Sequence, residues 1–301
     1  VKEDTPGWTN QDSFVACVPP PAKAAEEAGD DAWDSYNDSF GASDTAASAA
    51  ARHVLLGVLD GHGRLGHEVS RCASSRIPGH FAAQPSCLRT PGKALAAAVV
   101  ASDHDVYKQL ARDVEYNGST CVIVMLDRSD KVLHCANVGD SRAVLGRQSK
   151  DTNRWETINL TTDIKPDDPN EKERIEMSGG VVSPAQIDGE PTGPQRVWED
   201  WSLTKPGLAM GRSIGDGCAR RVGIISDPVM TVHKIRSDDR FLIIASDGLW
   251  DALTSEEAVE IASRHMGTPH AAPNALIEAA RQKQEGELED DTTIVMAFFT
   301  S

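Results

Sequence analysis

Residues 53–67 read HVLLGVLDGHGRLGH. A run of mostly aliphatic positions leads directly into Asp60-Gly61-His62-Gly63, the pattern of a buried strand that stops at a turn bearing a carboxylate, two glycines and an imidazole. A carboxylate at the end of a core strand is rigidly held, as metal ligands and catalytic groups need to be. The glycines let the backbone come close to a bound group, and Gly61 can offer its carbonyl oxygen. Four residues settle nothing alone, because Asp-Gly also makes a type I′ hairpin turn. The rest of the chain decides between the two readings.

Composition narrows the classes. Of 301 residues, 40% are hydrophobic and 25% charged, ordinary values for a chain with a real core. A net charge of −16 disfavours a nucleic-acid or anionic-membrane partner and suits a protein that gathers carboxylates around cations. No apolar run approaches the ~20 residues of a spanning helix. The opening VKEDTPGW has no signal-peptide character, so an intracellular chain, cytoplasmic or nuclear and without a membrane span, is expected. Cys17, Cys72, Cys87, Cys121, Cys135 and Cys218 form no Cys-x-x-Cys pair and have no His partner at zinc spacing. Reduced thiols and no zinc site are expected. A monomer is expected as well.

Strands are expected at 10–18, 53–60, 121–126, 131–138, 142–147, 155–160, 240–246 and 292–299. Helices are expected at 66–83, 91–113, 170–178 and 273–284, with another that starts at a Thr254-Ser255-Glu256-Glu257 capping box. Short connections between 119 and 160 predict an antiparallel meander. Residues 19–51 are rich in Pro, Ala, Ser, Gly and acidic residues and read as a mobile insert. Residues 161–206 read as a flap, irregular and proline-rich from 181 onward. With no internal repeat and no linker between two cores, one domain over 1–301 is expected.

The acidic residues follow a pattern. Asp12 begins a strand, Asp60 and Asp247 end strands, and Asp290 or Asp291 begins one. If those strands are neighbours in stacked antiparallel sheets, the carboxylates meet at one rim. Buried together they would repel and shift their pKa values. Divalent cations resolve such a cluster, and an all-oxygen donor set suits Mg²⁺ or Mn²⁺.

Beside Asp60-Gly61-His62-Gly63, the chain carries in order Gly118-Ser119-Thr120, Asn137-Val138-Gly139-Asp140-Ser141-Arg142 and Lys172-Glu173-Arg174-Ile175 with Gly179-Gly180. Then come Gly207-Leu208-Ala209-Met210, Arg212-Ser213-Ile214-Gly215-Asp216, Ser246-Asp247-Gly248-Leu249-Trp250-Asp251 and Asp290-Asp291-Thr292-Thr293. This ordered set resembles the metal-dependent serine/threonine protein phosphatases, the protein phosphatase 2C family, over 8–300 apart from the insert. The resemblance implies an α+β fold, an αββα sandwich of two stacked antiparallel sheets flanked by helices. It implies two Mg²⁺ or Mn²⁺ ions, with a weaker third in some members, and phosphoprotein substrates. Asp60 would bridge both metals, the Gly61 carbonyl would bind one, Asp247 and Asp290 would complete the other, and Asp12 would support the cluster. Asp140 and Asp251 match the weaker third position. A bridging water would attack phosphoserine or phosphothreonine, and His62 would give the departing alkoxide its proton.

Departures from the family pattern carry expectations too. Gln11 stands where many members have Glu, and Asp291 is the alternative to Asp290. The upstream phosphate-contacting arginine has no counterpart, Thr5 and Gly7 lying there, so Lys2 or Arg64 are candidate substitutes. Arg142 and Arg212 are expected to brace loops, and His53, His67, His80 and His134 to be structural or on the surface. Trp198, Trp201 and Trp250 are expected to pack. The rival reading is a pseudophosphatase, the same fold serving as a binding module; a hydrolase of small phosphates is a third.

Overall fold

The computed structural model describes residues 9–18 and 52–299. The expected 19–51 insert and Lys2 lie outside the described residues. Ser13–Cys17, His53–Leu59, Cys121–Asp127, Val132–Val138 and Val229–Lys234 form a five-stranded sheet in that spatial order, every pair antiparallel. Ile294–Phe298, Asp239–Ala245, Arg142–Gln148 and Trp155–Asn159 form a four-stranded antiparallel sheet.

The central strands are apolar on both faces, and each face has its own cover. Alternation along a strand sends Val58, Val122 and Val124 toward Ala143, Leu145, Leu242 and Ile244 of the other sheet. The opposite face of the first sheet, with Leu55, Leu59, Ile123 and Met125, packs on Ile77, Phe81, Leu95 and Val99. Those four belong to the helices Gly66–Ala83 and Pro91–Leu110. Phe241 and Ile243 of the second sheet pack on Trp250, Val259, Leu276 and Ala280, from the helical segments Asp247–Trp250, Ser255–Ser263 and Ala272–Lys283. Burying each Leu, Ile or Phe stabilises by about 1.5–3 kcal/mol. Three apolar layers between four tiers of structure make the αββα sandwich the motifs imply. The Thr254–Glu257 capping box forms as expected.

Glycine shapes the outer layer at Gly146. Phe241 lies across it so closely that a Cβ there would stand 2.3 Å from the ring Cζ. Trp155 and Phe298 flank that ring at centroid distances of 5.3 and 5.6 Å.

The structure differs from the expected meander over 119–160. The chain pairs Cys121–Asp127 with Val132–Val138, then leaves the first sheet and enters the second at Arg142–Gln148. Residues 139–141 are a corner between sheets, not a hairpin. Gly139 makes it with φ of +101°, and a Cβ there would stand 2.8 Å from Thr120 Cγ2.

Three further differences concern weaker signals. Val229–Lys234 is an edge strand that half-exposed, mixed residues did not announce. The expected irregular stretch after 181 is a hairpin, Val181–Ile187 with Glu190–Trp198, extended by Pro206–Leu208. Pro194 falls within a register shift between Thr192 and Gln195, while Pro184 and Pro191 keep their paired positions. The helix expected to reach 113 ends at Leu110 and tightens into a 3-10 turn, Ala111–Tyr116.

Candidate active site

The rim is assembled from the sequence motifs. Asp60 follows the His53–Leu59 strand, and Thr120 holds its backbone at both ends. The Thr120 N–H donates to the Asp60 carbonyl at 2.8 Å, and the Asp60 N–H donates to Thr120 Oγ1 at 3.0 Å. Thr120 Oγ1 also lies 2.7 Å from Ser141 Oγ, which ties the strand end to the sheet-switching corner. Ser246 works similarly: its hydroxyl donates to Asp12 Oδ2 at 2.9 Å and accepts from the Thr293 N–H at 2.9 Å. One serine thereby joins the first strand, the end of Asp239–Ala245 and the approach to the last strand.

Asp12, Asp60 and Asp247 converge, with Asp60 close enough to hydrogen-bond to both others. Burial pushes the Asp60 carboxyl well above the usual range, and Asp12 and Asp247 push it further. Burial, then Asp140, pushes Asp247 up to about 7. Burial raises Asp12 against the hydrogen bonds from Thr293 and Ser246. Asp251 is raised by burial, with Lys165 opposing.

Asp140 is 2% exposed, and its Oδ2 accepts from Lys165 Nζ at 2.7 Å. Asp291 is buried and accepts from the Gln11 N–H at 2.9 Å. Asp290 is exposed, accepts from the Asp291 N–H at 2.7 Å and adds to the negative charge felt at Asp247.

The residues fit a hard cation. Gln11 Oε1, Asp12 Oδ1, Asp140 Oδ1 and Asp247 Oδ1 are buried oxygens that have no hydrogen-bond partner. An orphaned buried acceptor costs about 1–3 kcal/mol. At Gly66 the Gln11 oxygen meets one more: a Cβ there would stand 2.3 Å from Gln11 Oε1 and 3.0 Å from the Gly61 carbonyl. Among the described residues, no three His, Cys, Asp or Glu side chains already close around a common centre. Burial and repulsion among neighbouring carboxylates raise Asp12, Asp60 and Asp247 together, the charge that a divalent cation would neutralise.

His62 stands beside this cluster, its side chain one-quarter exposed and its Nε2 2.7 Å from Asp216 Oδ2. Burial pulls the imidazole pKa down, but Asp216, then Asp140 and Asp247, outweigh it and leave it raised. Asp216 and Lys165 were not singled out by sequence. The only signal for Asp216 was its place after Gly215 in a motif, and Lys165 had none.

The bracing expectations hold. Arg142 makes two bonds to Asp163, at 2.8 and 2.7 Å, and stacks 5.1 Å over Trp250. Arg212 bonds both oxygens of the buried Glu171. Trp198 is buried, whereas Trp201 is 77% exposed and does not pack as expected, because it sits in a turn beyond the hairpin. Arg64 is exposed. The six cysteines are free, and among the described residues no helix is long and apolar enough to cross a membrane.

A protein phosphatase 2C family model matches residues 26–287. A rice relative, "Probable protein phosphatase 2C 64", is 41% identical over 236 residues, covering 76% of this chain. The chain spans about half of that relative, 54% of its length. An Arabidopsis thaliana relative, "Probable protein phosphatase 2C 73", is 35% identical over 279 residues, covering 82% of this chain and 71% of the relative. Among solved structures, the serine-threonine phosphatase 2C of Toxoplasma gondii superposes with a TM-score of 0.72 at 23% identity, covering 83% of this chain and 86% of that one. At that identity the superposition speaks for the fold, while the family model and the plant relatives speak for descent. The chain belongs to the protein phosphatase 2C family.

Proposed function

We propose that this chain is a Mg²⁺- or Mn²⁺-dependent phosphatase that removes phosphate from phosphoserine and phosphothreonine in proteins. The observation that carries the reading is the buried meeting of Asp12, Asp60 and Asp247, with unpartnered oxygens on Gln11, Asp12, Asp140 and Asp247, next to a histidine whose pKa is raised. Asp60, the Gly61 carbonyl, Asp247 and Asp290 would hold two cations, and Asp12 and Gln11 would steady them. Asp140 and Asp251 would hold a weaker third, for which Lys165 competes through its 2.7 Å contact. When bound, the cations supply Lewis acidity that activates a water for attack on phosphorus and offsets phosphoryl charge. His62 donates the proton that the serine or threonine oxygen needs as the P–O bond breaks. In this reading 161–206 is a flap on a single catalytic domain.

The test is hydrolysis of a phosphothreonine peptide with Mn²⁺, Mg²⁺ or EDTA, beside Asp60→Ala and Asp247→Ala. Metal-dependent turnover, lost by at least about 100-fold in both variants, is expected. A folded, metal-saturated wild-type chain with no turnover would overturn the reading in favour of a pseudophosphatase binding module.

A further inference from the structure

We infer that Asp216 is the positioning residue for His62: it fixes the ring so that Nδ1 faces the departing group, and the pair of buried Asp103 with half-buried Arg220 locks it in place. The inference rests on His62 being the proton donor.

Three two-residue strands, Gly61–His62, Gly118–Ser119 and Ile214–Gly215, form a small sheet of their own. The middle one separates the histidine from the Asp216 turn by a single residue, Gly118. A Cβ on Gly118 would stand 2.1 Å from Asp216 Oδ2 and 2.5 Å from His62 Nε2. Any side chain there would part the pair, so the backbone has been left bare where the two meet.

Asp216 reaches the ring from an unfavourable conformation. Its φ is +51°, in the left-handed region that a non-glycine residue seldom adopts, and Gly215 before it has φ of +78°. The surroundings hold both residues there. The Asp216 N–H donates to the Asn117 carbonyl at 2.9 Å, and the Gly215 N–H donates to Asp103 Oδ1 at 2.8 Å. Tyr107 Oη and Arg220 Nε each donate to the Gly215 carbonyl at 3.1 Å. Arg220 Nη2 grips both oxygens of Asp103 at 2.8 and 2.9 Å, and Ser226 Oγ adds a bond at 2.8 Å. Asp103 is 5% exposed and Asp216 1%. A strained turn this heavily tied serves placement.

The chemistry follows from which nitrogen is occupied. A carboxylate 2.7 Å from Nε2 keeps a proton on that atom and stops the ring from turning. Nδ1 is then the nitrogen that hands its proton to the serine or threonine oxygen. Asp216 does not touch the substrate; it acts through His62.

Two substrates separate placement from general damage. A phosphothreonine peptide loses an alkoxide that needs a proton, whereas p-nitrophenyl phosphate loses a phenolate that does not. In the metal-loaded enzyme, Asp216→Asn is expected to lower the kcat ratio of peptide to aryl phosphate by about 10-fold or more, and His62→Ala by at least as much, within the range for a lost proton donor. Equal loss on both substrates in Asp216→Asn would show a structural role and overturn the inference. A selective loss in His62→Ala with an unchanged ratio in Asp216→Asn would overturn it while leaving the proton-donor reading intact. No selectivity in His62→Ala would overturn both. ¹⁵N spectra of the wild-type metal-free protein give an answer independent of activity and of variant folding. His62 with its proton on Nε2 supports the assignment, and a bare Nε2 with the proton on Nδ1 sinks it.

Discussion

Asp247 shows what a single side chain can report. Its carboxyl is crowded by burial and by Asp140, and its Oδ1 has no partner. Neutralising it with Asp247→Asn should raise the melting temperature of the EDTA-treated protein by about 2 °C or more, since about 1 kcal/mol is worth 2–4 °C at this size. The same variant should lose most of the temperature rise that Mn²⁺ gives the wild type. Thermal melts with and without metal check both. At this scale the sequence was informative where residues repeat a role. Asp12, Asp60 and Asp247 each sit at a strand end, and the structure brings them together. Asp216 and Lys165 were illegible because each contact joins distant segments: His62 with Asp216, and Asp140 with Lys165. No local pattern encodes such a contact.

Among elements, the outer face of the second sheet depends on Gly146 lying under Phe241. Gly146→Ala should destabilise by about 1–3 kcal/mol through overpacking, seen as a lower urea midpoint with an unchanged slope. The helix Pro169–Met177 is fixed to residues 211–212 by Arg212 on buried Glu171 and by Arg174 Nη2, which donates to the Gly211 carbonyl at 2.6 Å, while Arg174 also pairs with Glu171 within the helix. Arg212→Ala should leave the global melt nearly intact yet speed amide exchange across 181–198, because Arg174 remains as a partner for that carboxylate. Continuous apolar runs were legible as strands because both faces of each sheet are covered. The hairpin was not, since its prolines read as breakers, yet Pro184 and Pro191 sit at paired positions and only Pro194 falls in a register shift. The sheet switch at 139–141 was hidden for another reason: a short turn fixes that two strands are close, not that they share a sheet.

For the molecule as a whole, two histidines beneath the first helical layer contribute to acid stability. His53 is 7% exposed and packs edge-on against Phe81 at 5.3 Å, and burial lowers its pKa although Asp127 opposes. Burial also lowers His134, whose Nδ1 lies against Gly92. A lowered folded-state pKa means the unfolded chain takes up protons first. The stabilising effect of these groups is therefore complete above about 6.5 and is lost as pH falls toward the lowered values. Unfolding midpoints in saturating metal should drop as pH falls below about 6.5, and less so in a His53→Phe variant. The four-tier architecture was legible at this scale only through the family resemblance. Periodicity alone offered strands and helices without saying how they stack.

The two sheets are interleaved along the chain, and this governs how the protein can be made. The first sheet is not complete until Val229–Lys234 is available, and the second waits for Ile294–Phe298. A ribosome that has released the chain through residue 235 has thus exposed one apolar sheet face, Val58, Val122 and Val124, with Leu242 and Ile244 still to come. Such a half-sandwich is a surface for nascent-chain chaperones. Asp12 and Thr293 meet on the Ser246 hydroxyl, so the carboxylate rim is braced only once the approach to the last strand has left the ribosome.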